Sequence, residues 1–571
     1  MAKVKHIAPT PPRLQPRQAA LVLGLLALLV FVVYAPSLKG PFLWDDEHLV
    51  VNNSYLRSWT NVPRILATDI GNGAGRQYNF WRPAQIMSYF FDFRIWMLNP
   101  LGFHLGNILL HFLCSGALFW FLWTVFADRR LATFAALFFA VHPAHSEAIS
   151  FISGRADPLL LLFFLLSFVF LLKDTGRPRP LFLFLCLGAY ALALLSRESA
   201  LLLPALVVVT RLTLKRPVSQ RAFWGLVVMS VLYVLLRLTA LRSVWPAEPL
   251  SHFSLAQRLP GAFAAFAGYL RVLLVPVGLH MEYGNRLFAW TDARVIAGIV
   301  AFGCWLAALC HKKTSVAVRF GLAWYFFALL PFLNVLSPLN AYMAEHWLYL
   351  PSIGLFAALG WGVGRRYERA PLSSGVAAGL VILLWGASSF YHNRFWADPV
   401  KFFERTVAFA PESTRARVSL AQAYLAEGRL KEAEALLIEA LKIDPREYVA
   451  YNTLGLVYYR MNRKNDAEAA WRNGLSVESR FGEFYSNLGV IEAEKGDLDE
   501  ALFFFKEAIK RNPMNPDAYK NAAVACANAG RYSEALAFWD KVRQLGMRVQ
   551  DDPGLVEMME KVRRQVVATD I

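Results

Sequence analysis

Apolar runs about as long as a bilayer is thick fill the chain before residue 391, and nothing else in the sequence constrains its fold as strongly. Leu21–Tyr34, Leu159–Leu172 and Leu181–Leu195 are examples. A spanning helix needs roughly 17–25 mostly apolar residues. In hydrocarbon every backbone polar group must be satisfied within the protein, so such runs fold as helices. The 571 residues are 56% hydrophobic and 18% charged, against about 45–50% and about 25% in soluble proteins.

Charge between the runs sets orientation. A basic tail (Lys3, Lys5, Arg13, Arg17) precedes the first run, and Pro36-Ser37-Leu38-Lys39 follows it without a small-residue cleavage site. This reads as an uncleaved first span with its N-terminus inside. Placing the basic loops Asp128–Arg130, Lys173–Arg179, Arg211–Arg221, His311–Lys313 with Arg319, and Arg365–Arg369 on the same side gives eleven spans. They lie near 18–36, 104–127, 131–149, 156–172, 180–195, 198–213, 222–240, 295–310, 318–335, 347–364 and 373–391. Leu259–Leu279, with Pro260 and Pro276, reads as a re-entrant or interfacial helix, and the aromatic stretch Phe80–Trp96 as a helix lying in the interface. An odd count carries the C-terminal part to the side opposite the N-terminus. Segments 37–103 and 241–294 then lie outside. The net charge of +17 is explained by these loops, and no aromatic-basic groove points to nucleic acid. The five cysteines show no metal-ligand spacing and read as small buried hydrophobes.

After residue 412 the pattern changes. Ala433, Ala467, Ala501 and Ala535 recur every 34 residues, the period of tetratricopeptide repeats. Ala421, Gly455, Gly489 and Ala523 keep the same phase, as do Tyr451, Tyr485 and Tyr519 and the turn residues Gly428, Asn462, Gly496 and Gly530. Each unit is a helix pair that cannot bury its apolar face alone. Stacking completes the core and gives a curved solenoid whose concave face binds a peptide or protein.

Polar residues in the outer loops are the candidates for chemistry, since such groups near a bilayer usually face a cavity. Trp44-Asp45-Asp46-Glu47 offers paired carboxylates that can accept a hydroxyl proton or hold a divalent metal, or merely form a solvated acidic turn. His142-Pro143-Ala144-His145-Ser146-Glu147 resembles a metal-ligand set, although Pro143 breaks helical pairing of the histidines. Asp157 before Pro158 reads as a helix cap, and Arg155 suits a lipid-linked phosphate, or an ion pair with Asp157 or Glu147. In Ser196-Arg197-Glu198 the two charges either pair or contact phosphate. Glu345-His346 and Glu282-Tyr283 are weaker signals.

Together these segments resemble the transmembrane and tetratricopeptide-repeat O-mannosyltransferases, members of the GT-C group of polytopic glycosyltransferases. The resemblance rests on Asp45-Asp46, Tyr78-Asn79-Phe80-Trp81-Arg82-Pro83, Leu98 through His104 to His111, His142 through Ala148, Gly154-Arg155-Ala156-Asp157, and Leu348 through Gly354. Ser196-Arg197-Glu198 replaces Cys-Lys-Glu, His346 replaces an arginine, and 241–295 matches poorly. The chain is expected to be all-α: a membrane domain over 1–394, GT-C-like by the resemblance, a linker over 395–412, four repeats over 413–546 where the family has a longer array, and a capping helix over 547–571. The resemblance implies transfer of a sugar from a polyprenyl-phosphate donor to a protein or glycan hydroxyl. Asp45 or Asp46 would be the base, and Arg155, Arg197 and His346 would neutralise the donor phosphate. His142, His145, Glu147, Asp157, Glu198 and Glu345 would support them. Mg or Mn is the metal that Asp45 and Asp46 would take if one is used. Membrane lipid surrounds the first domain. The expected setting is a bacterial inner membrane with the N-terminus cytoplasmic and the repeats periplasmic, or an endoplasmic reticulum membrane with the repeats lumenal. A non-catalytic scaffold, or a polysaccharide or lipid transport component, is the alternative.

Overall fold

A computed structural model describes residues 15–175, 179–239, 253–284, 286–545 and 553–569. Lys3, Lys5, Arg13, Arg177, the start of the outer segment 241–294, and 547–552 lie outside the described residues. Among the described residues the secondary structure is helical, without strands. The chain forms two compact units: residues 1–43 with 79–398, and residues 44–78 with 399–571.

Among the described residues of the first unit six helices are long and apolar enough to cross a membrane: Pro16–Lys39, Pro100–Phe126, Ile152–Lys173, Gln220–Thr239, Ala293–Cys310 and Pro371–Trp396. Pro180–Ser196 and Val316–Phe332 are shorter apolar helices. Leu21, Phe184, Val228 and Leu384 are each more than half exposed on these helices. A bundle in water would turn such residues inward, whereas hydrocarbon accepts them. The unit is a transmembrane helical bundle.

Without a hydrophobic drive between helices in lipid, close approach relies on small residues. Val316–Leu329 meets Ser352–Arg369 at paired glycines: a Cβ on Gly321 would lie 2.3 Å from the Gly354 carbonyl oxygen, and one on Gly354 would lie 2.2 Å from that of Gly321. Backbone offers no rotamer escape. Gly354→Val is therefore expected to destabilise the bundle by ~1–3 kcal/mol or more through overpacking, read as a lower melting temperature in detergent.

Several runs that look continuous in sequence are broken by proline. The helix expected over 131–149 stops at Val141, because Pro143 has no N–H to donate. The run 198–213 opens as a short 3₁₀ turn, Glu198–Leu202, before Leu203–Leu214. The run 347–364 is a turn, Glu345–Leu348, and then Ser352–Arg369 after Pro351. Leu255–Leu274 is a single helix enclosing Pro260. Each break leaves charged side chains in a turn between helices. The last long helix holds the first of these breaks at both ends: Ser389 donates to Val141 O (2.7 Å), and Asn393 accepts from Ser150 Oγ (2.9 Å) and donates to Val33 O (2.9 Å) of the first helix.

In the second unit four helix pairs follow one another: Thr414–Ala426 with Leu430–Ile443, Tyr448–Arg460 with Lys464–Val477, Gly482–Lys495 with Leu498–Arg511, and Pro516–Asn528 with Tyr532–Gln544. Ala433, Ala467, Ala501 and Ala535 are wholly buried. Gly455 admits the Trp471 indole so closely that a Cβ would lie 2.2 Å from Nε1. The turn residues Gly428, Asn462, Gly496 and Gly530 all take positive φ, between 60° and 90°. Two differences from the sequence reading stand out. Segment 395–412, read as a linker, carries the helix Pro399–Phe409, whose Val400, Phe402 and Phe403 are buried. Residues 44–78, read as part of the membrane domain, fold with the repeats. Helix Pro553–Thr569 closes the array, burying Val562 in the cluster around Trp539 and Val542.

Candidate functional site

Within the membrane unit, the residue before helix Pro83–Trp96, the turn at Arg197-Glu198 and the helices Ala156–Lys173 and Gln220–Thr239 bring arginines and carboxylates together. Glu198 sits between two guanidiniums. Arg82 donates to its Oε2 from Nε (3.1 Å) and Nη2 (2.9 Å), and Arg237 Nη1 lies 3.1 Å from Oε1. Arg197, the neighbour in sequence, pairs instead with Asp157. Arg197 and Glu198 therefore do not pair with each other. The break at Ser196 sends their side chains to different partners. Asp157 is an ion-pair partner inside helix Ala156–Lys173, not its cap. All five side chains are at most 14% exposed, and they comprise three guanidiniums and two carboxylates. Excess positive charge held away from water is stabilised by a bound anion, and guanidinium matches phosphate oxygens in pairs.

Arg155 takes another role. It pairs with Asp92, and its Nε donates to Asn107 Oδ1 (2.6 Å), Nη2 to Phe103 O (2.7 Å) and Nη1 to Ser88 Oγ (3.3 Å). It is 2% exposed and lies over the Tyr89 ring. These contacts lock helix Pro83–Trp96 to Pro100–Phe126, so Arg155 reads as a brace and not as a phosphate ligand. Arg155→Ala leaves Asp92 unpaired in a partly buried place, and a loss of ~3–5 kcal/mol of stability is expected. Thermal denaturation should show it, while residual folded protein keeps its affinity for polyprenyl phosphate.

The histidines are braces too. His142 accepts from Ala144 N at Nδ1 (3.2 Å) and donates from Nε2 to Leu273 O (3.0 Å). His145 donates from Nδ1 to Phe139 O (2.9 Å), with Nε2 3.2 Å from Ser352 Oγ. His111 links Tyr349 OH (2.7 Å) and Ala140 O (3.1 Å). Their ring nitrogens are committed to protein groups, which overturns the metal-ligand reading of His142, His145 and Glu147. Glu147 instead holds His346 through Nδ1 (2.6 Å) and the backbone N–H (3.0 Å). Glu345, also buried, accepts from Tyr283 OH (2.6 Å) and His280 N (2.8 Å).

In the repeat unit Asp45 and Asp46 differ. Asp46 is 1% exposed, whereas the Asp45 side chain is 41% exposed, with Arg415 Nη2 at 4.0 Å. Asp45 is thus the carboxylate that solvent and a substrate can reach. Among the described residues no group of three or more His, Cys, Asp or Glu comes together as a metal would need. One open and one buried aspartate do not make that donor set, so no step is assigned to Mg or Mn.

Arg237 lies within an apolar run and belongs to none of the sequence motifs above. An intramembrane arginine is itself a signal of function, and its partner was visible in Glu198.

Tetratricopeptide-repeat family models match residues 400–454, 452–508 and 492–546. The first match begins inside helix Pro399–Phe409. The human protein O-mannosyl-transferase TMTC1 is 27% identical over 515 residues, covering 76% of this chain and 56% of its own length. Mouse TMTC3 is 24% identical, covering 76% of this chain and 52% of its own, and human TMTC4 is 26% identical, covering 66% and 60%. The chain thus spans between half and three fifths of the length of these relatives. Among solved structures, MamA aligns with 27% of this chain and 90% of its own, at 20% identity and a TM-score of 0.24, too low to define a shared fold.

Proposed function

We propose that this chain is a membrane glycosyltransferase that moves a sugar, mannose by analogy with its relatives, from a polyprenyl-phosphate donor to a polypeptide hydroxyl. The observation that carries the reading is the arginine excess around Glu198 and Asp157. Transfer breaks the bond from sugar C1 to the phosphate oxygen, and the electron pair leaves on phosphate. Arg82, Arg197 and Arg237 meet that charge, and stabilisation placed where charge develops is usually the largest single term in such reactions. His346, oriented by Glu147, is a further donor to phosphate. The attacking hydroxyl loses its proton to Asp45 as its oxygen bonds to C1, with inversion there. The repeats recruit the polypeptide acceptor.

The basic loops favour an orientation with the N-terminus on the cytoplasmic side and the repeats opposite, in a bacterial inner membrane or an endoplasmic reticulum membrane. Purified full chain in lipid nanodiscs, given labelled polyprenyl-phosphate mannose and an unstructured Ser/Thr-rich polypeptide, is expected to transfer label to polypeptide. Lack of transfer to any polypeptide or glycan, with donor bound equally by wild type and by an Arg82→Ala/Arg237→Ala double variant, would leave the scaffold reading in its place.

A further inference from the structure

Trp44 stands in an unusual state for a large side chain. Its φ is +48°, in the left-handed region that bulky residues avoid. Such a conformation persists only where its surroundings over-determine it, and here they come from the first repeat helix and from helix Pro399–Phe409 before it. The indole Nε1 donates to Ser419 Oγ at 2.6 Å, from the first repeat helix. The ring packs edge-on against Phe402 and at a tilt against Phe403, at 5.8 and 5.5 Å between centroids. The Arg415 guanidinium covers the ring at 4.6 Å and also reaches Asp45. The far end of the same segment is tied further along the array. Arg76 pairs with Glu483 at 3.3 Å and lies over the Phe481 ring. Between the two ends, Asp69 Oδ1 accepts from Gly71 N (2.8 Å) and Tyr78 N (3.0 Å) and closes the loop.

We propose that Trp44, Ser419 and Arg415 are positioning residues for Asp45, so that the repeat array is part of the catalytic apparatus as well as the means of recruiting acceptor. The proposal rests on the reading of Asp45 as the base. Asp45 follows directly on the residue the repeats clamp, and its own carboxylate meets a repeat side chain. A docking arm on a tether would alter only how much acceptor is near. A scaffold for the base alters the rate once acceptor is bound, because small misplacements of a reacting group cost rate steeply.

The test uses full chain and two acceptors: the long polypeptide, and a short Ser-containing peptide at saturating concentration. Ser419→Ala and Arg415→Ala are expected to lower kcat on both acceptors by about 10- to 100-fold, with donor KM unchanged. Ser419→Thr, which keeps the hydroxyl, is expected to restore kcat. Melting temperatures follow in parallel, since a merely structural role would move them and leave kcat of the folded fraction intact. An unchanged kcat with a raised KM confined to the long acceptor would overturn the proposal and return the repeats to recruitment alone. Asp45→Asn run alongside separates the two layers. If it retains full activity, the base assignment itself fails, whatever the Ser419 and Arg415 variants do.

Discussion

Asp45→Asn is expected to reduce the transfer rate by about 10²- to 10⁴-fold, the range that a positioned general base supplies. The substitution keeps the size and shape of the side chain and removes only its ability to take a proton. Asp45 is 41% exposed, so folding should be little affected and donor binding unchanged. Asp46→Asn should behave differently. Asp46 is almost wholly buried, and removing its charge acts on the packing of the segment, with a fall in stability accompanying any fall in rate. Measuring kcat and melting temperature for both variants separates a reacting carboxylate from a structural one.

Arg82→Ala combined with Arg237→Ala is the second large effect. The pair flanks a single carboxylate, Glu198, from both of its oxygens. Removing one guanidinium leaves the local charge close to balanced, and removing both leaves Glu198 as a buried anion facing the phosphate it should help to bind. Loss of transition-state contacts of this kind costs about 10²- to 10³-fold each in kcat. For the double variant, turnover is expected to fall below detection and donor affinity to fall with it. Glu198→Gln should do the reverse for affinity: with the competing carboxylate neutralised, both arginines turn to phosphate, donor binding tightens, and product release slows. Isothermal titration with polyprenyl phosphate in nanodiscs reads all three variants.

Much of the architecture was legible in the sequence because its causes are periodic and local. The alanines at 433, 467, 501 and 535 mark buried helix contacts, and the apolar runs mark helices that hydrocarbon solvates. What the sequence hid depends on contacts made far along the chain. Trp44 and Ser419 are 375 residues apart, and no local pattern announces that the segment after the first span folds with the repeats. The same holds for the ion pairs. Arg197 and Glu198 invite pairing as neighbours, yet Asp157 takes one and Arg82 with Arg237 the other. Arg155 looked like a phosphate ligand because its brace (Asp92, Asn107 and the Phe103 carbonyl) comes from residues of no conspicuous motif. Segment 395–412 looked like a linker because it lacks the repeat signature, although Phe402 and Phe403 give Trp44 its packing partners.

On the proposed mechanism Arg82, Arg197 and Arg237 hold the donor phosphate. Photo-crosslinking with a polyprenyl phosphate bearing a diazirine beside the phosphate reads this contact, with labelled peptides mapped by mass spectrometry. Label is expected on peptides spanning 79–83, 196–202 and 233–239, and is lost in the Arg82→Ala/Arg237→Ala double variant. Label concentrated elsewhere in the membrane unit and undiminished in that variant would contradict this mechanism.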